Sequence, residues 1–159
     1  MPPPPSSDVW HTLVSAAAGA VGGVLSSMAK DLFRDRKIAK GDIENLGQEL
    51  NVEAMVYWRK NGRDDNLEQS ITRLTHKYQS KAGSFARKYL DAKAIADCSV
   101  RLQQILRMCT GDTFAQEDRI ASRTQVSNLQ VHTTAINYLL GQSPVMGTFR
   151  AAIRQFRGK

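Results

Sequence analysis

Acidic side chains stop at Asp118, while Arg119, Arg123, Arg150, Arg154, Arg157 and Lys159 follow it. Formal charge of either sign is missing from Val9 to Ala29, and Asp8 is the only charged side chain before Lys30. Cysteine is scarce as well. Cys98 and Cys109 lie three turns apart on one expected helix, too far apart for a disulfide within it. Without nearby histidines they make a poor zinc site, so both are expected to be small core residues in a reducing compartment.

The histidines are isolated. His11, His76 and His132 have no histidine or cysteine three or four residues away, which removes the helical metal-binding pair. Gly19 to Gly23 follows no strand and precedes no Gly-Lys-Ser/Thr, which removes a phosphate loop. Glu49 with Glu53 and Asp64 with Asp65 fit helix-face charges and a turn. No serine, histidine and acid grouping can be defended from spacing. The sequence therefore predicts no enzyme, no metal and no cofactor.

What is present bounds the class. The 159 residues suit one domain able to bury its own core, and 42% hydrophobic with 7% aromatic residues fits an ordered, mostly helical chain. A net charge of +7 calls for an acidic counterpart: anionic lipid, nucleic acid or an acidic protein face.

Four small residues, Ser15, Gly19, Gly23 and Ser27, recur every four positions inside the uncharged segment. On a helix they stack into one smooth groove that lets another backbone approach closely. At about 1.5 Å per residue, positions 9–29 span roughly 31 Å, against a hydrocarbon core of about 30 Å. The apolar residues contribute about −2 to −3.5 kcal/mol to insertion, of which His11, Thr12, the serines and the glycines offset part or all. A lone copy is a marginal insert that association would help hold. Gly19, Gly22 and Gly23 each cost about 1 kcal/mol in a water-exposed helix and are better tolerated in lipid. Trp10 sits where an interfacial aromatic would, and Lys30, Arg34, Arg36, Lys37 and Lys40 crowd the other end. By the positive-inside rule that basic flank faces the cytoplasm. The leader lacks the basic n-region of a secretory signal. The other placements of this helix are the interior of a soluble assembly or an amphipathic position on a surface.

The remainder predicts helices, with no stretch of period-two alternation. Gly41 is expected to end the first helix and Asp42 to cap a second carrying Ile43, Leu46, Leu50, Ala54, Tyr57 and Trp58. Asp65 opens a third, with Leu67, Ile71, Leu74 and Tyr78, closing at Gly83. Ser84 caps a fourth carrying Ile95, Cys98, Leu102, Ile105 and Cys109. Thr113 with Gln116 forms a capping box for a fifth, with Val126, Leu129, Thr133, Ile136 and Leu140. Thr124 to Phe149 lacks charge if His132 is neutral, which predicts burial between neighbours, an oligomer contact or a wet lumen. Ser143 and Pro144 start a sixth, amphipathic helix whose Arg150, Arg154, Arg157 and Lys159 suit an anionic partner.

The expected architecture is all-α: a proline-rich leader (1–8), a transmembrane helix (9–29), a basic extension (30–41) and a bundle of about five helices (42–159). In architecture alone this resembles small bacterial membrane effectors and accessory proteins, some of them linked to antiphage defence; no residue motif carries the likeness. The expected function is a membrane-anchored, self-associating protein that perturbs or permeates the membrane. It would sit in the inner membrane with its bundle in the cytoplasm, and its partners would be its own copies and anionic lipid. The alternative is a cytoplasmic helical adaptor or nucleic-acid-binding module acting through the basic C-terminal helix.

Overall fold

The computed structural model describes the backbone of residues 7–111 and 114–142, and side chains from residue 27 onward within that range. All regular structure there is helical: α1 Ser7–Trp58, α2 Asp65–Tyr89, α3 Ala92–Thr110 and α4 Arg123–Gly141. The chain divides into two compact units, Met1–Asp35 and Arg36–Lys159. Among the described residues no helix is long and apolar enough to cross a membrane. The side chains of residues 9–26, on which the expected span mainly rests, lie outside that description, as does the sixth helix expected from Ser143.

The second unit is an antiparallel bundle. Arg36 on α1 bonds carbonyls at the end of α4, Asn51 bonds Thr133 at 2.9 Å, and the Ser122 amide bonds Trp58 O at 2.8 Å. The part of α1 from Arg36 to Trp58 thus runs against α4. It also runs against α2, through Lys81 with Asp42 and Tyr57 with Glu68. The expected stripes meet inside. Ile43, Leu50, Tyr57, Ile71, Tyr78, Cys98, Ile105, Leu129, Ile136 and Leu140 are essentially inaccessible. Each large aliphatic chain removed from water contributes about 1.5–3 kcal/mol.

Helix boundaries differ from the sequence expectation in three places. Gly41 does not end α1, which continues to Trp58. A mid-helix glycine costs about 1 kcal/mol, less than burial of Ile43 and Leu46 just beyond it returns. Gly83 and Ser84 do not separate two helices, because Ala82, Phe85, Ala86 and Tyr89 extend the buried face of α2 past them. The break comes at Leu90, and Asp91 caps α3 by accepting from the Ala94 amide at 2.8 Å. Likewise α4 starts at the Ser122 cap, not at Thr113, since Phe114 is buried in the preceding loop. One expected cap moves by a single residue, with Asp64 accepting from Leu67 N to cap α2.

Gly47 faces the Tyr78 ring so closely that an added Cβ would lie 3.1 Å from Cε2, whereas a Cβ on Gly41 would meet nothing within 4 Å. Gly41→Ala should therefore raise stability by about 0.5–1 kcal/mol. Gly47→Leu should lower it by about 1–3 kcal/mol through overpacking. Chemical denaturation of the two variants beside the parent checks both signs.

Candidate functional site

Polar groups concentrate at the two ends of the bundle, each organised by a buried arginine. At the end formed by residues 59–64 and 114–122, α1 finishes with Tyr57 and Trp58. Gly62 makes the turn at φ 79°, a conformation that L side chains rarely adopt. Arg119 lies 3.7 Å above the Tyr57 ring centroid and 5.0 Å from that of Trp58, and donates to Lys60 O at 3.0 Å and to Gly62 O. The Gly62 amide returns a bond to Arg119 O at 2.8 Å, and Asn61 accepts from the Ala121 amide at 2.7 Å. Two loops distant in sequence are thus closed onto each other. The Tyr57 hydroxyl reaches both Glu68 Oε1 at 2.6 Å and Phe114 O, and its single proton serves one at a time. Burial first, then Glu68, pushes the phenol up to about 12.

At the other end Arg36, 8% exposed, donates to Leu140 O at 3.2 Å and Gln142 O at 2.9 Å. Its guanidinium also sits 5.7 Å from the Phe85 centroid and 5.9 Å from that of Tyr89. This satisfies carbonyls at the C-terminus of α4, where the helix dipole favours a cation. Among the described residues no carboxylate is bonded to this guanidinium, and burial lowers its pKa from the ordinary arginine value.

A cleft of about 960 Å³ lies between the end of α1 and the start of α4, lined by Met55, Trp58 and Val126 together with Arg59 and Arg123. It presents apolar surface and positive charge. It holds no nucleophile paired with a base. Among the described residues no group of three histidine, cysteine or acidic side chains could hold a metal ion. Cys98 and Cys109 are free and buried, their thiols pushed up to about 11 chiefly by burial. His132 is lowered by burial and by Arg101 nearby.

The residues singled out from sequence do not converge on one site. Trp10, Ser15, Gly19 and Gly23 have side chains outside the described residues, as do Arg150, Arg154, Arg157 and Lys159. Ser27, Lys30, Arg34 and Lys37 are exposed; Arg34 pairs with Asp31 at 3.2 Å. Lys40 is half-buried and pairs with Glu44 at 3.3 Å. Arg36, expected with them in the basic flank that follows the uncharged segment, is buried. Arg119 was seen only as part of a basic run. Its burial is a tertiary fact, although the tyrosine–tryptophan pair ending α1 offered a platform for it.

No protein-family model, curated protein sequence or solved structure matches the chain.

Two measurements follow from these groups. Arg119→Ala should destabilise the protein by about 3 kcal/mol, and Arg119→Lys should recover little of that. An ammonium cannot fork to two carbonyls while lying flat on a ring. Thermal unfolding would show it, and full recovery with lysine would refute the clamp. The buried thiols predict a pH effect too. Their folded pKa values stand above the ordinary value of 9.0, so their contribution is complete below pH 9 and is lost as pH rises toward about 11. Denaturation should show stability falling across that window, and falling less in a Cys98→Ala, Cys109→Ala variant.

Proposed function

We propose that the protein is a membrane-anchored, self-associating helical protein whose assembled form perturbs or permeates the bilayer. Residues 9–29 would be the anchor and the bundle would lie on the cytoplasmic side of the inner membrane. The observation that carries this reading is the 52-residue α1, which passes Gly41 without a break and places Ile43 to Trp58 in the bundle core. One helix then belongs both to the small-residue segment and to the folded unit. Association through Ser15, Gly19, Gly23 and Ser27 would bring bundles together in a fixed stoichiometry. The absence of charge from positions 9–29 and the basic residues that follow support the same placement. The described groups offer packing surfaces and charge, and no catalytic role is assigned to them.

Carbonate extraction of membranes from expressing cells tests the anchor: the protein should stay in the pellet and leave only with detergent. Gly19→Leu with Gly23→Leu should lower the oligomer size in detergent without changing bundle stability. Quantitative release by carbonate would remove the anchor. If the released protein also bound nucleic acid with a steep salt dependence, lost on changing Arg150, Arg154 and Arg157 to glutamine, the adaptor reading would replace this one.

A further inference from the structure

The second unit begins at Arg36, and Gln142, the last of its described residues, lies at the same end of the bundle. Residue 35 is bonded to Arg36, residue 143 is bonded to Gln142, and Arg36 donates to Gln142 O at 2.9 Å. The same end holds the last turn of α2, whose Phe85 and Tyr89 flank Arg36, and the first turn of α3. Lys37, Arg87, Lys88 and Lys93 are all exposed there. Among the acids nearby, Asp42 pairs with Lys81 at 2.9 Å, Glu44 with Lys40 and Asp97 with Arg101 at 3.2 Å, Asp91 is the α3 cap and Asp35 is exposed. The opposite end also carries exposed cations, Arg59, Lys60, Arg107 and Arg123, but there Glu117 and Asp118 are exposed as well, and Asp65 and Glu68 share the single Arg63.

We propose that this basic end, built from Lys37, Arg87, Lys88 and Lys93, is a docking face for the anionic lipid surface. The proposal rests on the anchored reading above and names the partner of the anchored protein's folded unit. Distance decides which charges matter. Six residues separate position 29 from Arg36, a reach of about 9 Å as helix and at most roughly 20 Å extended. The surface potential of anionic lipid decays over about 8 Å at physiological salt. At the helical reach of about 9 Å, about one such length, roughly a third of the potential remains. The far end lies about 37 Å from the Arg36 end along the 25-residue α2, several such lengths. Arg87, Lys88 and Lys93 lie far from Lys37 in sequence, and the fold gathers them at the Arg36 end of the bundle.

The test uses full-length protein carrying Ala92→Cys at this end or Ala115→Cys at the other, both positions being exposed. The buried native thiols compete poorly for a fluorescent maleimide. The labelled protein is reconstituted into phosphatidylcholine vesicles with or without phosphatidylglycerol, each holding a trace of nitroxide-headgroup lipid. Quenching at position 92 should exceed that at 115 severalfold in anionic vesicles. It should drop in neutral vesicles and in a Lys37→Glu, Arg87→Glu, Lys88→Glu, Lys93→Glu variant. Should the reversed charges prevent folding, the matching glutamine variant, checked by its unfolding midpoint, gives the same readout. Equal quenching at both positions, or quenching indifferent to lipid charge, overturns the docking face. Carbonate treatment of the same vesicles separates the two ideas. Retention without charge dependence sinks the face alone. Release, with charge-dependent quenching beforehand, sinks the anchor and keeps the face.

Discussion

The arrangement at the Arg36 end depends on the carbonyl groups that close α4. A helix ends with four carbonyl oxygens that no intrahelical amide reaches, and leaving such a group buried and unpaired costs about 1–3 kcal/mol. Arg36 resolves this by reaching from α1 to Leu140 O and Gln142 O with one nitrogen. Its cationic group needs compensation in turn, which the Phe85 and Tyr89 rings and the α4 dipole provide without a carboxylate. Three helices are thereby pinned at one level. The arginine's positive charge is also kept there, unneutralised by any ion pair.

Arg119 solves the matching problem at the opposite end by other means. There the unpaired carbonyls belong to a turn, and the arginine comes from a loop that has no helical register of its own. Stacking on Tyr57 and Trp58 gives the 114–122 segment a fixed seat, so α4 can start at Ser122 in register with the end of α1. The acidic groups near it are engaged with Arg63 or exposed among lysines and arginines. The two ends hence differ in character: one is a seam that closes two loops on each other, the other a helix end whose carbonyls an arginine from α1 satisfies.

Much of the core was legible in the sequence because packing on a helix repeats at three and four residues. The stripes Ile43 to Trp58, Leu67 to Tyr78, Ile95 to Cys109 and Val126 to Leu140 all face the core, buried except at Leu67, Ile95 and Val126, which are half-buried. The errors came from local punctuation. Gly41 and Gly83 are good terminators in isolation, yet continued burial at Ile43 and Phe85 outweighs a penalty of about 1 kcal/mol. The capping pattern expected to open a helix at Thr113 opens none at Phe114, which is buried in the loop leading to the Ser122 cap. The uncharged α4 proved neither fully buried nor uniformly wet. Thr133 is enclosed and bonded to Asn51, while Val131 and Tyr138 on the opposite side are exposed. The arginines could not be sorted at all: in composition Arg36 resembles Lys37, and only the folded neighbours divide a buried clamp from a free surface cation.

That division constrains any function assigned to the chain's positive charge. A net charge of +7 suggests a diffuse attraction to any polyanion. The fold subtracts Arg36 and Arg119, which are enclosed, and offsets Arg63, Lys81 and Arg101 with carboxylates. Among the described residues Lys37, Arg87, Lys88 and Lys93 are exposed at one end, and Arg59, Lys60, Arg107 and Arg123 at the other, where Glu117 and Asp118 offset them. Nucleic-acid binding along a groove would call for a stripe following the bundle's length. Cations divided between the two ends are better matched to a partner met end-on than to one lying along the bundle.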